Sequence, residues 1–246
     1  MKEDKYQPKT YRHQVSGKDL TSFEVKVKET DLYIRAASNL QRKAERIVLK
    51  YREQIEQYIE KHPEFLSSLN PLPIPATAPV IIKTMFEAGQ KAGVGPMAAV
   101  AGTVAEFTGK ELLDFTPEII IENGGDIFLK ITEKRIVGIY AGDSPLSGKI
   151  GLEIQPPETP MGICTSSGTV GHSLSFGRAD AAVALASSAA LADAAATAIC
   201  NMVKKPADIN AAIETGRSIS GLKGIMIIIG GDIGVWGAIK LCETAG

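Results

Sequence analysis

Residues 118–127 read EIIIENGGDI, and the fold of the chain turns on them. A β-branched apolar run meets Asn123-Gly124-Gly125-Asp126, and a second apolar run, DIFLK, follows at once. Two short strands joined by a tight glycine turn are the hairpin this pattern predicts. The motif recurs at 225–233, IMIIIGGDI, which raises the prospect of a weak internal duplication. Two readings stand side by side. The glycines are turn residues and Asp126 and Asp232 bond their own backbone. Alternatively, bare backbone is needed where a ligand approaches, and the aspartates orient a ribose or base.

Outward from the hairpin, further strands are expected at 135–140, 149–155, 162–166 and 180–186. On the amino-terminal side, SFEVKVKETDLYIRA (22–36) alternates apolar and polar residues around a charged break, the pattern of a hairpin with one wet face. Residues 39–61 carry Leu40, Ala44, Ile47, Tyr51, Ile55, Tyr58 and Ile59 on one side of a helix that Pro63 stops. A proline-rich connector spans 70–79. Residues 79–107 read as helix of unusual composition, since GQKAGVGPMAAVAGTVAEFTG (89–109) is nearly all small residues. Ser187 or Ser188 can cap a helix over 189–203, another runs from Pro206 to 218, and the chain closes on a hairpin around the second GGDI. This order predicts an α+β fold, mostly antiparallel sheet packed with helices, in a single domain over 1–246: hairpin and long helix at 20–62, connector at 70–79, core at 80–246.

The chain has 246 residues, 44% of them hydrophobic and 22% charged, with a formal net charge of -1. That balance argues against nucleic acid as a partner. Cys164, Cys200 and Cys242 form no CxxC pair, which favours reduced thiols and a cytoplasmic protein. The opening MKEDKYQPKTYRHQ has no apolar core of a secretory signal. Two membrane-like stretches, 179–199 and 224–242, are interrupted by aspartates or glycines and are expected in buried core, not in a bilayer. The apolar carboxy-terminal hairpin gives slight grounds for a homo-oligomer.

Residues 165–172, TSSGTVGH, gather hydroxyls, glycines and a histidine. Backbone N–H groups freed by glycine, with Ser and Thr donors, can cradle a phosphate; the bland alternative is a surface turn. His172 is one of three histidines and could bind phosphate or act as general acid or base. Asp193 and Thr197 lie four residues apart in an alanine-rich helix, on one face. A carboxylate and a hydroxyl suit Mg²⁺ that keeps waters and bridges phosphates. The other reading is an aspartate capping nearby backbone and a threonine bonding its own helix.

Taken in order, these pieces resemble the ApbE-like superfamily, whose typical members are FAD:protein FMN transferases. The resemblance rests on Ala98–Phe107, NGGD at 123–126, TSSG at 165–168 with His172, and ADAAAT at 192–197, and is closest to a branch lacking some transferase hallmarks. It implies a T-fold-like core and an FAD-sized ligand bordered by Asn123, Gly124, Gly125 and Asp126. Thr165, Ser166, Ser167 and Gly168 would face the phosphates, with His172 as catalytic group. Mg²⁺ would be held by Asp193, Thr197 and a backbone carbonyl near Ala101 or Gly102. The activity implied is transfer of FMN from FAD to a hydroxyl of an acceptor protein, or a related phosphoester reaction. The alternative is a flavin- or nucleotide-binding protein without transfer chemistry. The family's helix lysine is absent here, with Val100 or a neighbour in its place.

Overall fold

The computed structural model describes residues 19–170 and 175–244. Two strands open it, β1 (Thr21–Val27) and β2 (Thr30–Ala36), then helices α1 (Gln41–Lys61), α2 (Pro63–Ser67), α3 (Val80–Ala92) and α4 (Val100–Leu112). Strands β3 (Ile119–Asn123), β4 (Asp126–Lys130), β5 (Arg135–Gly138), β6 (Ile150–Ile154), β7 (Met161–Ser166) and β8 (Ala181–Ala186) follow. The chain then adds α5 (Ala189–Met202), α6 (Ile209–Arg217), β9 (Leu222–Ile229), β10 (Asp232–Gly237) and β11 (Leu241–Glu243).

Eight strands form one sheet in the order β1-β2-β3-β4-β7-β8-β9-β10, and β11-β6-β5 form a second. Every pairing is antiparallel. The large sheet is covered on both faces. Ile119, Ile121, Phe128, Cys164 and Ala184 pack with the helices, while the alternate residues Ile120, Ile127, Leu129, Ile163, Val183 and Met226 pack against Val137, Leu152 and Ile154 of the small sheet. Two buried faces explain why these strands read as unbroken apolar runs and not as alternation.

The expected helix over 79–107 is two helices. Gly93 takes φ +73° and caps α3, its N–H donating to the Gly89 carbonyl. Gly95 follows, where a Cβ would lie 1.8 Å from the Ser68 carbonyl oxygen, and Pro96 starts a 3₁₀ turn ahead of α4. The expected run of strands after the hairpin also divides: β5 and β6 leave the large sheet, and β7 returns to pair with β4. At the carboxy end, β10 is an edge strand with Ile233 and Val235 39% and 40% exposed, so only the β9 half of the 224–242 stretch is core. No helix among the described residues is long and apolar enough to cross a membrane.

Register fixes which loops meet. Leu32 pairs with Asn123, Asn123 with Asp126, Ile127 with Ile163, Ser166 with Ala182, Ala181 with Ile228, and Asp232 with Ile229. The 28–29 turn, the 124–125 turn, the loop after Ser166 and the 230–231 turn therefore gather at one end of the large sheet.

Candidate functional site

The first GGDI forms a two-residue turn in which Gly124 and Gly125 have φ of +67° and +106°. A Cβ on Gly124 would meet nothing within 4 Å, and on Gly125 only the Thr165 carbonyl oxygen at 3.7 Å. Conformation, not crowding, selects glycine here. The turn is fixed from both sides. Gly125 N–H donates to Glu122 Oε1 at 2.7 Å, and Asn123 Nδ2 donates to the Ala101 carbonyl at 3.0 Å. Asn123 thereby ties the hairpin to the amino end of α4.

Asp193 lies in the second turn of α5, 9% exposed. Its Oδ2 accepts the Gly102 N–H at 2.8 Å, so it caps α4 from a neighbouring helix. The helices can come this close because a Cβ on Gly102 would stand 2.3 Å from the Ala189 carbonyl oxygen. Burial drives the Asp193 carboxyl well above the usual carboxylate range and the charge of Asp126 adds to the rise, against the Gly102 and Ala101 amides. Asp126 opens β4 at 8% exposure, and its Oδ1 has no hydrogen-bond partner among the described residues. Burial pushes its carboxyl up to about 7; the Cys164 thiol and the Thr165 N–H oppose the rise, and Glu122 reinforces it. Cys164 faces both acids, 3.4 Å from the Ala189 carbonyl oxygen, and burial raises its thiol well above the ordinary value.

Thr197 sits one turn further along α5, half-buried. It lies between Asp193, next to Asp126, and Cys200, whose sulfur is 3.1 Å from Ser175 Oγ. No hydrogen bond engages the Thr197 hydroxyl among the described residues. Two acids and a free hydroxyl are a hard-oxygen donor set, and the orphaned Asp126 oxygen is the observation that fits a cation. Among the described residues no three His, Cys, Asp or Glu side chains are arranged to hold a metal by themselves.

The 165–168 segment is more occupied than its composition suggests. Ser166 is 7% exposed and its hydroxyl faces the Cys200 thiol. Ser167 Oγ accepts the N–H groups of Thr169 and Val170 at 3.1 and 2.9 Å. Gly168 N–H donates to the Ala179 carbonyl at 2.9 Å, and a Cβ there would lie 2.2 Å from the Gly177 carbonyl oxygen. His172 lies outside the described residues. The second GGDI serves a separate, structural purpose. Asp180 accepts the Gly230 N–H at 2.7 Å on one oxygen and the Thr169 hydroxyl at 3.0 Å on the other. This turn and the loop after β7 are thus held to one side chain.

Two contributors went unread in the sequence. Glu106, 3% exposed, accepts from Ser188 Oγ at 2.9 Å and from Ala190 N–H at 3.2 Å, capping α5 from α4. Its signal was close to the one that marked Asp193, an acid set among the small residues of a helix. The other is a cavity of about 490 Å³ that adjoins the site at Asn123 and Ala101. Ile55, Ile59, Met97 and Val104 give it apolar walls, and Lys28 and Arg52 stand on its lining. Its size is that of a small-molecule pocket.

Comparison with known proteins adds a family and a fold. Residues 12–235 match the model of the family described as AbpE bacteria. The UPF0280 protein of Methanococcus aeolicus is 45% identical over 224 residues, 89% of this chain and 87% of that relative. The UPF0280 protein of Methanocaldococcus jannaschii is 43% identical over 225 residues, 89% of this chain and 91% of its own. Among solved structures the chain is similar to a flavin transferase ApbE from Vibrio cholerae, with TM-score 0.51 and 12% identity over 92% of this chain and 97% of that one. A flavinyl transferase ApbE from Pseudomonas stutzeri gives TM-score 0.50 and 10% identity over 88% and 93%. At those identities the likeness is one of fold.

Proposed function

This chain belongs to the AbpE bacteria family, and on that footing we propose that it is a cytoplasmic, Mg²⁺-assisted flavin-nucleotide enzyme. Its reaction is transfer of FMN from FAD to a hydroxyl of an acceptor protein, or a closely related phosphoester reaction. One observation carries the reading: the Asn123–Asp126 turn, the 165–168 segment and Asp193 converge where Asp126 keeps a buried oxygen without a donor.

In this reading the acceptor hydroxyl oxygen forms a new bond to the FMN phosphorus. The bond from that phosphorus to the bridging diphosphate oxygen breaks, AMP leaves with the bridge, and the hydroxyl proton passes to a base, the role given to His172. Asp193 and Thr197, with a carbonyl near Ala101 or Gly102, would hold Mg²⁺, which supplies neutralisation of diphosphate charge. The chain's own contribution is positioning. Asn123, Gly124 and Gly125 border the nucleotide, while Asp180 and Gly168 hold the loop that begins at Ser167, after Thr165 and Ser166 at the end of β7, beside the phosphates.

The test is FAD incubated with the protein, with and without Mg²⁺, with AMP and FMN quantified by chromatography. Mg²⁺-dependent AMP release that disappears in Asp193→Ala is the expected result. Absence of both FAD binding and AMP release would sink the proposal. A second reading, a flavin-nucleotide binding protein without transfer chemistry, is favoured by one observation: the Asp193 Oδ2 and the Gly168 N–H already have partners within the fold. Tight FAD binding with no AMP in either condition would select it.

A further inference from the structure

Asp126 raises a question of charge. Its carboxylate is more than nine-tenths buried, and its Oδ1 accepts no hydrogen bond among the described residues. A buried acceptor without a donor is costly, and a second buried acid beside it increases the cost. Asp193 is that second acid: it bonds the Gly102 N–H while Asn123, the register partner of Asp126, bonds the adjoining Ala101 carbonyl, and the charge of Asp126 acts on Asp193. Among the described residues, the groups that act on them are the Gly102, Ala101 and Thr165 amides, the Cys164 thiol and Glu122, with no lysine or arginine. Glu122 also acts on Asp126, with its own Oε1 turned to the Gly125 N–H.

We propose that Asp126 and Asp193 are joint carboxylate ligands of one divalent cation, so that the aspartate of the Gly-Gly turn belongs to the cation site and does not merely border a nucleotide. The inference rests on the reading of Asp193 as a cation ligand and extends it. The hairpin that shapes the pocket wall and the helix that carries Asp193 would then be joined through the ion, with Thr197 and the carbonyl near Ala101 or Gly102 completing the protein's share. Asp126 supplies the oxygen that has no other partner, whereas Asp193 divides itself between the ion and the Gly102 amide.

The experiment uses the full chain after treatment with chelator. Mn²⁺ binding is followed by electron paramagnetic resonance, with and without ADP as a diphosphate probe, in wild type, Asp126→Asn and Asp193→Asn. Melting temperature is measured with and without Mg²⁺ and reports on folding. Both variants are expected to weaken Mn²⁺ binding by at least about tenfold, the lower range found even for groups that only orient a metal ligand. Mg²⁺ should raise the melting temperature of wild type and should no longer raise that of Asp126→Asn. If Asp126→Asn binds Mn²⁺ as wild type does while Asp193→Asn does not, the inference falls and the Asp193 reading survives. If wild type binds no Mn²⁺ with or without ADP, both fall.

Discussion

Asp193 of α5 accepts the Gly102 N–H of α4 at 2.8 Å, and Glu106 of α4 returns the contact by accepting from Ser188 and Ala190 at the start of α5. Each helix supplies an anion to the other's amino end, where free N–H groups and the helix dipole favour negative charge. The pair that would carry the cation site is thus held together by exchanged carboxylates as well as by close backbone packing.

Replacing Glu106 with alanine removes both hydrogen bonds to α5 and the ion pair with Lys110 at 2.6 Å. A loss of about 1–3 kcal/mol is expected, the range for hydrogen bonds to a buried charge. Urea denaturation measures it, and an unchanged midpoint would contradict the reciprocal cap.

Gly102→Ala tests the close packing of α4 on α5. Its Cβ would stand 2.3 Å from the Ala189 carbonyl oxygen and 2.8 Å from Asp193 Cβ, contacts that backbone must move to relieve. Overpacking of this kind costs roughly 1–3 kcal/mol. The same variant should weaken Mn²⁺ binding by displacing Asp193.

The two turn glycines should answer differently to substitution. Gly124, at φ +67° with open space around a Cβ, accepts asparagine with little loss of stability, since asparagine tolerates the left-handed region. Gly125, at φ +106°, lies beyond that region, and Gly125→Ala should cost about 1–3 kcal/mol. Equal melting temperatures for the two variants would contradict this conformation of the turn.

Thr197→Val keeps shape and removes the hydroxyl. With no hydrogen bond to lose among the described residues, the variant should stay within about 1 kcal/mol of wild type in urea. Its Mg²⁺-dependent AMP release should nevertheless fall. A variant that releases AMP at the wild-type rate would take Thr197 out of the cation site.

The contact of α1 with α4 should depend on pH. Lys50, at 2.6 Å, and the Tyr51 hydroxyl hold the Glu111 carboxyl below the usual carboxylate range. A depressed folded-state pKa contributes stability that is present above the unfolded value of 4.5 and is lost as pH falls through the folded one. Wild type should therefore be more stable than Glu111→Gln near neutrality, with the gap closing as pH drops below that value. A gap that widens in acid would reverse the sign of this interaction.

Local chemistry made part of this molecule readable. Asn123-Gly124-Gly125-Asp126 declared its turn because a two-residue hairpin loop demands positive φ, and Ser188 declared its cap, accepting the Leu191 N–H at 3.4 Å. Gly93 misled, since a glycine inside a stretch that read as one helix in fact ends α3, and Gly95 and Pro96 turn the chain into α4. Sheet membership is non-local: nothing in 135–155 says that β5 and β6 pair with each other and β11 and leave β4 to β7. The meeting of Asp126 with Asp193 follows from the β4–β7 register and the seating of α5, which no spacing along the chain encodes. Asp180 had no local signal, since its partners Thr169 and Gly230 lie 11 and 50 residues away.

The exchanged carboxylates bear on how relatives are to be judged. An aspartate that also stops the amino end of α4 from unravelling is retained for architecture whether or not any reaction takes place. Its presence in a homologous sequence is therefore no token of catalysis. A lineage that discarded the chemistry would still be constrained to keep the residue, and the more telling position is Asp126, which the fold alone would be better without.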